Sequence, residues 1–397
     1  MDNNVVDVAE KDAVDEDIFY LKEDYVIDEE DDVVERPLNT KYVCWSKEFG
    51  SELLSLSVYP TFPEIAHVAV GSRDDKCLVV DFSAQNGNYA TCWIIYCVGG
   101  SDSKETTLGP FAETVSCCAY SPDGAYLVLG CMDGLFCVYS CSGGNYQQLE
   151  TVNGPNDGIE WISWLPDSSA VMFGGSGHTT YIWDPKAQTS ACVSTTDNNM
   201  CGKFCSYNGS ALAVLGGDDG HLSIARYSNG NVGSVTDVAL HGEIVTCVDC
   251  HDNIQLAIAG LYDGGVYFVE LSKNTVTASF LEDHTDTVED VKFCRGTASM
   301  IAVSIGHDGR VITWDCERMT KLNVVTLSER LTRVVWVPSS TVIAVSTIFG
   351  ALFSIKNGKV MCQNRPHKST VLDIVALPCN KEEYALLSVS EDGAMMM

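Results

Sequence analysis

The sequence predicts an all-β fold, a β-propeller built from a repeated unit of four short strands. Alternating apolar strands recur along the chain, and a turn marked by Asp-Gly or a variant falls at the same point of each unit. After a first interval of 59 residues, successive turn markers lie 41–45 residues apart, a period typical of propellers. The markers are Asp74-Asp75, Asp133-Gly134, Gly177-His178, Asp219-Gly220, Asp263-Gly264, Asp308-Gly309, Phe349-Gly350 and Asp392-Gly393.

The markers define repeats 1 to 8 in chain order, so we expect eight blades; seven would require discarding one repeat. The long first interval contains an insertion near Asn86–Lys104, rich in Gly and Ser, which we interpret as a loop. Repeat 8 stops before its fourth strand, which would leave an unpaired sheet edge. The segment Lys41–Ser46 has the composition of a strand, and we expect it to complete the last blade.

The N-terminal 36 residues differ in composition from the rest of the chain. They hold 15 Asp or Glu against three Lys or Arg. Such a block of like charge with few aromatic side chains predicts a flexible, disordered tail over residues 1–36, followed by the propeller over 37–397. The tail is either a solubilising segment or a polyanion that shields a basic ligand.

The net charge of −30 excludes several classes of partner. Nucleic acid and anionic membranes would be repelled, whereas a basic protein segment would be attracted. We find no signal peptide and no apolar run of about 18 residues, so we expect a monomeric protein of the cytoplasm, with the nucleus as an alternative. The 18 cysteines are scattered through apolar strands and are interpreted as reduced core residues.

Repeat 6 carries the clearest pattern of buried polar residues, and it resembles a WD40 repeat. In WD40 repeats the residues equivalent to His284, Ser304, Asp308 and Trp314 form a hydrogen-bonded network, which suits a buried imidazole that needs partners on both nitrogens. We therefore expect the repeat histidines to be structural, and we expect no metal and no cofactor. The equivalent residues in other repeats are His241, Asp263, His367 and Asp392.

A propeller displays its loops, so function is expected where the inner strands begin and just before each Asp-Gly turn. These positions predict an acidic rim interrupted by Arg73 and Arg333, with Trp161 as a flat apolar platform. Such a rim would attract Lys and Arg side chains. The alternative is that the carboxylates are merely solvated and that Trp161 packs on its neighbouring blade. The rim candidates are Glu160, Trp161, Asp218, Glu289, Asp290, Asp373 and Glu391.

Catalysis finds little support in the sequence. We find no nucleophile elbow, no phosphate-binding P-loop and no zinc-protease motif. Glu289 and Asp290 are adjacent in a predicted strand and therefore point to opposite faces, so they are not expected to share a reacting centre. An enzyme is the least favoured class of protein.

The run Asp157–Pro166, DGIEWISWLP, resembles the third repeat of the angio-associated migratory cell protein family of WD40-repeat proteins. Gly71–Lys76, Cys201–Lys203 and Val245–Val248 resemble other repeats of that family, as does the acidic N-terminal segment. The family includes a fungal chaperone for a newly made large-subunit ribosomal protein. The resemblance implies a similar role in ribosome biogenesis, with Glu160 and Trp161 as the best-matched contacts. The alternative is a scaffold or a substrate receptor in signalling or ubiquitin transfer.

Overall fold

The computed structural model describes residues 43–82, 104–142, 144–155, 158–207, 210–251, 254–297, 300–378 and 384–397, and three short strands nearer the N-terminus. The regular structure of these residues is β-strand throughout, arranged in antiparallel sheets. In these ranges no helix is long and apolar enough to cross a membrane. Most of the insertion predicted near Asn86–Lys104 lies outside the described residues.

Four strands precede repeat 1: β1 (Ile18–Tyr20), β2 (Val26–Ile27), β3 (Val33–Val34) and β4 (Val43–Glu48). β2 pairs with β3, and β1 pairs with β4 so that Ile18 lies opposite Trp45. Three short apolar runs within the segment predicted to be a disordered or weakly ordered tail, residues 1–36, thus form strands. The disorder of the tail stays a prediction. The rest of that segment lies outside the described residues.

Repeats 1, 2, 5, 6 and 7 each form a four-stranded sheet in which neighbours along the chain are neighbours in the sheet. Repeats 1 and 2 contain β5 (Leu53–Val58), β6 (His67–Ser72), β7 (Lys76–Asp81), β8 (Lys104–Leu108), β9 (Val115–Tyr120), β10 (Tyr126–Cys131), β11 (Leu135–Ser142) and β12 (Asn145–Asn153).

Repeats 3 and 4 share a seven-stranded sheet, because one long strand serves both. Its strands are β13 (Trp161–Trp164), β14 (Val171–Gly174), β15 (Gly177–Asp184), β16 (Thr189–Tyr207), β17 (Ser210–Gly217), β18 (His221–Ser228) and β19 (Asn231–Ala239). The first half of β16 pairs with β15 as the outer strand of repeat 3. From Asn199 onward β16 pairs with β17 as the inner strand of repeat 4.

Repeats 5 to 7 return to separate four-stranded sheets. Their strands are β20 (Val245–His251), β21 (Leu256–Leu261), β22 (Val266–Glu270), β23 (Thr275–Phe280), β24 (Val288–Phe293), β25 (Ile301–Gly306), β26 (Arg310–Asp315), β27 (Thr320–Thr326), β28 (Leu331–Trp336), β29 (Val342–Thr347), β30 (Leu352–Lys356) and β31 (Lys359–Asn364).

Repeat 8 combines strands from both ends of the chain. It contains β32 (Val371–Pro378), β33 (Tyr384–Ser390) and β34 (Ala394–Met396). β4 pairs antiparallel with β34 and stands where the fourth strand of the repeat is missing. In this pairing Glu48 lies opposite Ala394 and Ser46 lies opposite Met396.

The inner strands β5, β9, β13, β16, β20, β24, β28 and β32 each contact the next one in this order, and β32 contacts β5. Most of them are edge strands, so their outer backbone groups need partners. Side chains of the neighbouring repeat supply them. Ser57 accepts the backbone N–H of Tyr120 at 2.9 Å, and Asp249 accepts that of Phe293 at 2.8 Å.

The apolar core lies between neighbouring sheets. Phe136 of repeat 2 and Phe173 of repeat 3 stack with ring centroids 3.8 Å apart. Another apolar cluster joins the last repeat to the first, with Leu53, Leu387 and Met395 all fully buried. The core therefore binds repeat 8 to repeat 1 in the same way as it binds consecutive repeats.

We predict that Met395→Asp lowers the free energy of unfolding by about 3 kcal/mol or more, because it places a carboxylate without a partner in the cluster between repeats 8 and 1. Met361→Asp is the matched control, since Met361 is 46% exposed on an outer strand. The control should change stability by no more than about 0.5 kcal/mol. Urea unfolding followed by tryptophan fluorescence measures both. Similar losses in the two variants would contradict the described packing.

Candidate functional site

The beginnings of the inner strands and the turns between the second and third strands lie at one end of the sheets. The backbone N–H of the residue before the turn donates to the residue that precedes the inner strand. Examples are His307 to Thr287 at 2.9 Å and Glu391 to Thr370 at 3.1 Å. We call this end the entrance face, defined by the starts of the inner strands and the adjoining turns. The two sets of predicted binding positions, at the starts of the inner strands and just before the turns, therefore meet at the entrance face.

Three predicted carboxylates reach the surface of the entrance face. Glu160 is exposed and accepts hydrogen bonds from the Ser176 hydroxyl at 3.0 and 2.9 Å. Glu391 is exposed and accepts the hydroxyl of Ser369 at 2.8 Å. A carboxylate oxygen of Glu289 lies 3.2 Å from Nε2 of His307. These contacts orient the carboxylates and leave oxygen lone pairs for a ligand's N–H groups.

Asp218 also lies at the entrance face, but it is more deeply set than these three. It is half-buried, and its carboxylate accepts the backbone N–H of Asn198 at 3.1 Å and the side-chain amide of Asn198 at 2.7 Å. Asp218 therefore holds the middle of β16, at the point where this strand passes from repeat 3 to repeat 4. Its negative charge still contributes to the potential of the face.

Asp290 and Asp373 were predicted to line the rim, but their side chains lie elsewhere. Asp290 is 6% exposed, and its carboxylate accepts the backbone N–H of Val334 in the next repeat at 3.2 Å. Asp373 accepts the backbone N–H of Leu56 at 2.8 Å in the same manner. Their side chains point from one inner strand toward the next, and both link repeats instead of lining the rim. Burial raises the pKa of Asp373 above its usual range, since water cannot fully solvate the charge.

Positively and negatively charged side chains form a cluster on and next to the inner strands, and this cluster was not predicted from the sequence. Lys203 lies 3.5 Å from Asp249, and Arg295 lies 2.8 Å from the same carboxylate. Lys292 lies 3.0 Å from Asp290. Burial opposes ionisation of Asp249, but the positive charges of Arg295, Lys203 and Lys292 outweigh it and hold its pKa well below the usual range.

The signal for this cluster was present in the sequence. Lys203, Asp249 and Lys292 occupy the same position of three successive inner strands that are otherwise largely apolar. Charges repeated in register on predicted buried strands must find partners across the repeats. A comparison of the repeats column by column would therefore have indicated an ion network.

Trp161 was predicted to form an exposed apolar platform, but its indole is packed between two repeats. A Cβ atom placed on Gly202 would lie 2.3 Å from the indole of Trp161, and one placed on Gly174 would lie 2.6 Å from it. The half-buried indole thus packs directly against the backbone of its own repeat and of repeat 4. It acts as a wedge between the two repeats, because only glycine leaves room for it. It does not form the open platform that we expected.

The predicted histidine network is assembled in repeats 6 and 8. In repeat 6, His284 contacts Asp308 at 3.1 Å and Ser304 at 2.9 Å, and the indole N–H of Trp314 donates to Ser304 at 2.9 Å. In repeat 8, His367 contacts Asp392 at 3.2 Å and Ser388 at 2.8 Å. Both imidazoles are buried with partners on both nitrogens, so they serve the fold.

His241 is not part of such a network, which corrects the prediction for repeat 5. Its side chain is exposed and its backbone adopts a positive φ of 58°. Ala259 stands where repeat 6 has Ser304 and carries no polar side-chain atom, so a buried imidazole would have had Asp263 for one nitrogen and no partner for the other. Asp263 keeps its place in the turn, where it accepts the backbone N–H of Gly265 at 3.0 Å.

Large apolar side chains on the entrance face were also missed as binding candidates. Met132, Tyr262 and Phe349 are 43%, 55% and 56% exposed. Each stands in or just before the turn between the second and third strands of its repeat. Among the described residues, no group of three or more His, Cys, Asp or Glu could hold a metal ion.

A comparison with protein families matches residues 100–140 to the WD domain, G-beta repeat. Among solved structures, Sqt1 of Saccharomyces cerevisiae superposes with a TM-score of 0.72 at 14% identity over 89% of this chain and 96% of that chain. Sqt1 of Chaetomium thermophilum, bound to the N-terminus of the ribosomal protein L10, gives a TM-score of 0.69 at 16% identity over 87% and 96%. These similarities show the fold.

Curated relatives match smaller parts of the chain. The intraflagellar transport protein 122 homolog of Danio rerio is 22% identical over 63% of this chain and 21% of its own length. The echinoderm microtubule-associated protein-like 2 of Homo sapiens is 33% identical over 18% of this chain and 12% of its own. The chain thus spans about a fifth or less of these relatives. Residues 100–140 are thus similar to a WD40 repeat, and the structural neighbours support a propeller fold.

We predict that Asp392→Asn removes a stabilising contribution that depends on pH. Burial opposes ionisation of Asp392, but hydrogen bonds from His367 and the backbone N–H of Lys368 lower its pKa to about 2. The contribution is therefore present above about pH 4 and is lost as the pH falls toward 2.

Urea unfolding at pH 6 and pH 2 tests this prediction. The stability difference between wild type and Asp392→Asn should shrink by about 2 kcal/mol at the lower pH. Leu322→Ser, on an exposed outer strand, removes no ionisable group and is the control, so its difference from wild type should not depend on pH. A constant difference for Asp392→Asn would show that its carboxylate does not stabilise the fold as described.

Proposed function

We propose that this chain is a protein-binding propeller of eight blades whose entrance face receives a basic protein segment. The circular contacts of the inner strands support the ring, including the contact of β32 with β5. The pairing of β4 with β34 supports closure of the last blade by a strand from the other end of the chain. A closed ring leaves the loops as the surface for partners.

The single observation that carries the proposal is the set of carboxylates at the entrance face. Glu160, Glu289 and Glu391 reach the surface there, and Asp218 adds its charge beside them. In a chain of net charge −30 they produce a negative potential that draws Lys and Arg side chains and accelerates their encounter. The same potential repels nucleic acid and anionic lipid.

The positive charges of the inner strands define how deep the segment reaches. Lys203, Lys292 and Arg333 all stand on inner strands, and Arg333 is exposed. Because Lys203 and Lys292 already pair with Asp249 and Asp290, a basic side chain entering between these strands would find those carboxylates compensated. The partner segment therefore lies across the entrance face and does not thread between the inner strands.

The partner that we propose is a basic ribosomal protein of the large subunit, held by this chain as a dedicated assembly chaperone. The structural neighbour from Chaetomium thermophilum, which is bound to the N-terminus of ribosomal protein L10, supports this choice. The resemblance of the segment around Glu160 to a family that includes such a chaperone adds to it. We further propose a monomeric, non-enzymatic protein of the cytoplasm, with the nucleus as an alternative.

We predict that the double variant Glu160→Lys with Glu391→Lys weakens binding of a peptide with the L10 N-terminus of Chaetomium thermophilum by about tenfold at low salt. The matched control is Asp167→Lys with Glu317→Lys. It makes the same change in charge at exposed turns at the opposite end of the sheets. The control should weaken binding by about twofold or less, because solvent and salt screen distant charges.

Isothermal titration at low and physiological salt measures both variants. An equal loss of affinity in the two variants would mean that only net charge matters, and the entrance face would not be the site. Wild-type protein that binds no L10 peptide at either salt, and recovers only acidic or neutral proteins from a lysate, would favour the scaffold or receptor alternative.

A further inference from the structure

We infer that the entrance face has an apolar half on repeats 5 to 7, and that its partner segment is therefore amphipathic as well as basic. The inference rests on the proposed function and deepens it by naming the chemistry of the partner. It starts from three side chains: Tyr262, Leu281 and Phe349. They are 55%, 58% and 56% exposed.

All three lie at the same end of the sheets: Tyr262 and Leu281 adjoin strands of the repeat 5 sheet, and Phe349 adjoins strands of the repeat 7 sheet. Tyr262 donates its backbone N–H to Ile244, just before the inner strand of repeat 5. Leu281 follows the outer strand β23 and begins the loop to the inner strand of repeat 6. Phe349 lies in the turn of repeat 7. The other large apolar side chains with substantial exposure, apart from Met132, lie on outer strands of the described sheets: Leu149, Val276, Leu322, Val324 and Met361.

Phe349 stands where other repeats place a structural aspartate. In repeat 6 the carboxylate of Asp308 accepts the backbone N–H of Arg310 at 3.0 Å and closes the turn. In repeat 7 the hydroxyl of Thr347 takes over this task and accepts the backbone N–H groups of Phe349 at 3.3 Å and Ala351 at 3.0 Å. The turn therefore needs nothing from the side chain at position 349.

A large apolar side chain in this place has a cost without a folding benefit. Leaving a phenyl ring more than half exposed forgoes the free energy of its burial, about 25 cal/mol for each Å² of apolar surface. Clusters of such side chains on a protein surface mark sites of interaction. The side chain of Tyr262 is also not needed for its turn, because the turn is held by the backbone N–H of Tyr262 and by the carboxylate of Asp263. The phenol ring is therefore available to solvent or to a partner.

Carboxylates lie in the loops next to Tyr262 and Leu281, whereas Phe349 has an ion pair beside it, since Arg365 donates to the Phe349 carbonyl at 2.7 Å and pairs with Glu329. Glu243 and Glu282 are exposed in the loops that lead to the inner strands of repeats 5 and 6. Asp286 and Glu289 lie in or next to the second of these loops and are partly exposed. The nearest described cation to Asp286 is Arg330 at 3.8 Å, which is a weak surface pair. The part of the apolar half around Tyr262 and Leu281 thus lies among carboxylates.

Charge complementarity selects one occupant for this surface. A second copy of the chain would bring another −30 charges to an acidic face and would be repelled. A neutral apolar segment would leave the carboxylates without partners. A segment with Lys or Arg between apolar residues satisfies both parts, with apolar side chains on Tyr262, Leu281 and Phe349 and cations on the carboxylates between them.

Two synthetic peptides of equal length and equal lysine content test the inference. In one the residues between the lysines are serine, and in the other two of these serines are replaced by leucine. We expect wild-type protein to bind the leucine peptide at least about tenfold more tightly in fluorescence polarisation. Tyr262→Ser combined with Phe349→Ser should reduce this ratio to about twofold or less, and Leu281→Ser alone should reduce it in part.

The control is Leu322→Ser combined with Val324→Ser, which removes apolar side chains of similar exposure from an outer strand and should keep the full ratio. Equal binding of both peptides to wild type would overturn the apolar half and leave the basic-segment proposal standing. No binding of either peptide would overturn both. Self-association of wild type that the Tyr262 and Phe349 variant abolishes would assign the surface to a second copy and overturn the inference.

Discussion

The arrangement depends on hydrogen bonds that run from the side chains of one inner strand to the backbone of the next. Ser163 accepts the backbone N–H of Phe204 at 2.9 Å, and the Thr332 hydroxyl donates to the carbonyl of Val371 at 2.8 Å. An edge strand without such partners would leave backbone groups unsatisfied in a packed interior. These contacts also hold the starts of the inner strands side by side, and the entrance face exists because those starts meet.

The same constraint divides the acidic residues into two groups. Asp249 and Asp290 are committed to backbone N–H groups and to nearby cations, and Asp373 accepts a backbone N–H group. Glu160 and Glu391 are exposed at the entrance face and retain their charge for a partner. A ligand therefore meets carboxylates at the surface and ion pairs below it. This order of charges favours a segment that lies flat across the face.

The repeat period and the Asp-Gly turns predicted the strands, the positions that meet at the entrance face and the carboxylates at its surface. The direction of the Asp290 side chain could not be predicted from the repeat pattern, because a shift of one residue in a strand moves a side chain to the opposite side of the sheet. The burial of Trp161 depends on Gly202, 41 positions away, and emerges only when two repeats are packed together. The different role of His241 could have been predicted, since Ala259 replaces the serine that His284 contacts in repeat 6.

The most direct test of the account is a map of amide hydrogen exchange in the presence and absence of the L10 peptide. We expect slower exchange in the entrance-face turns around Asp218, His307 and Ile348, whose backbone N–H groups donate to Asn198, Thr287 and Arg330 near the starts of the inner strands. The turns at the opposite end, around Ser168, Asn229 and Asn357, should not change. Protection of those distant turns, with unchanged exchange at the entrance face, would contradict the account.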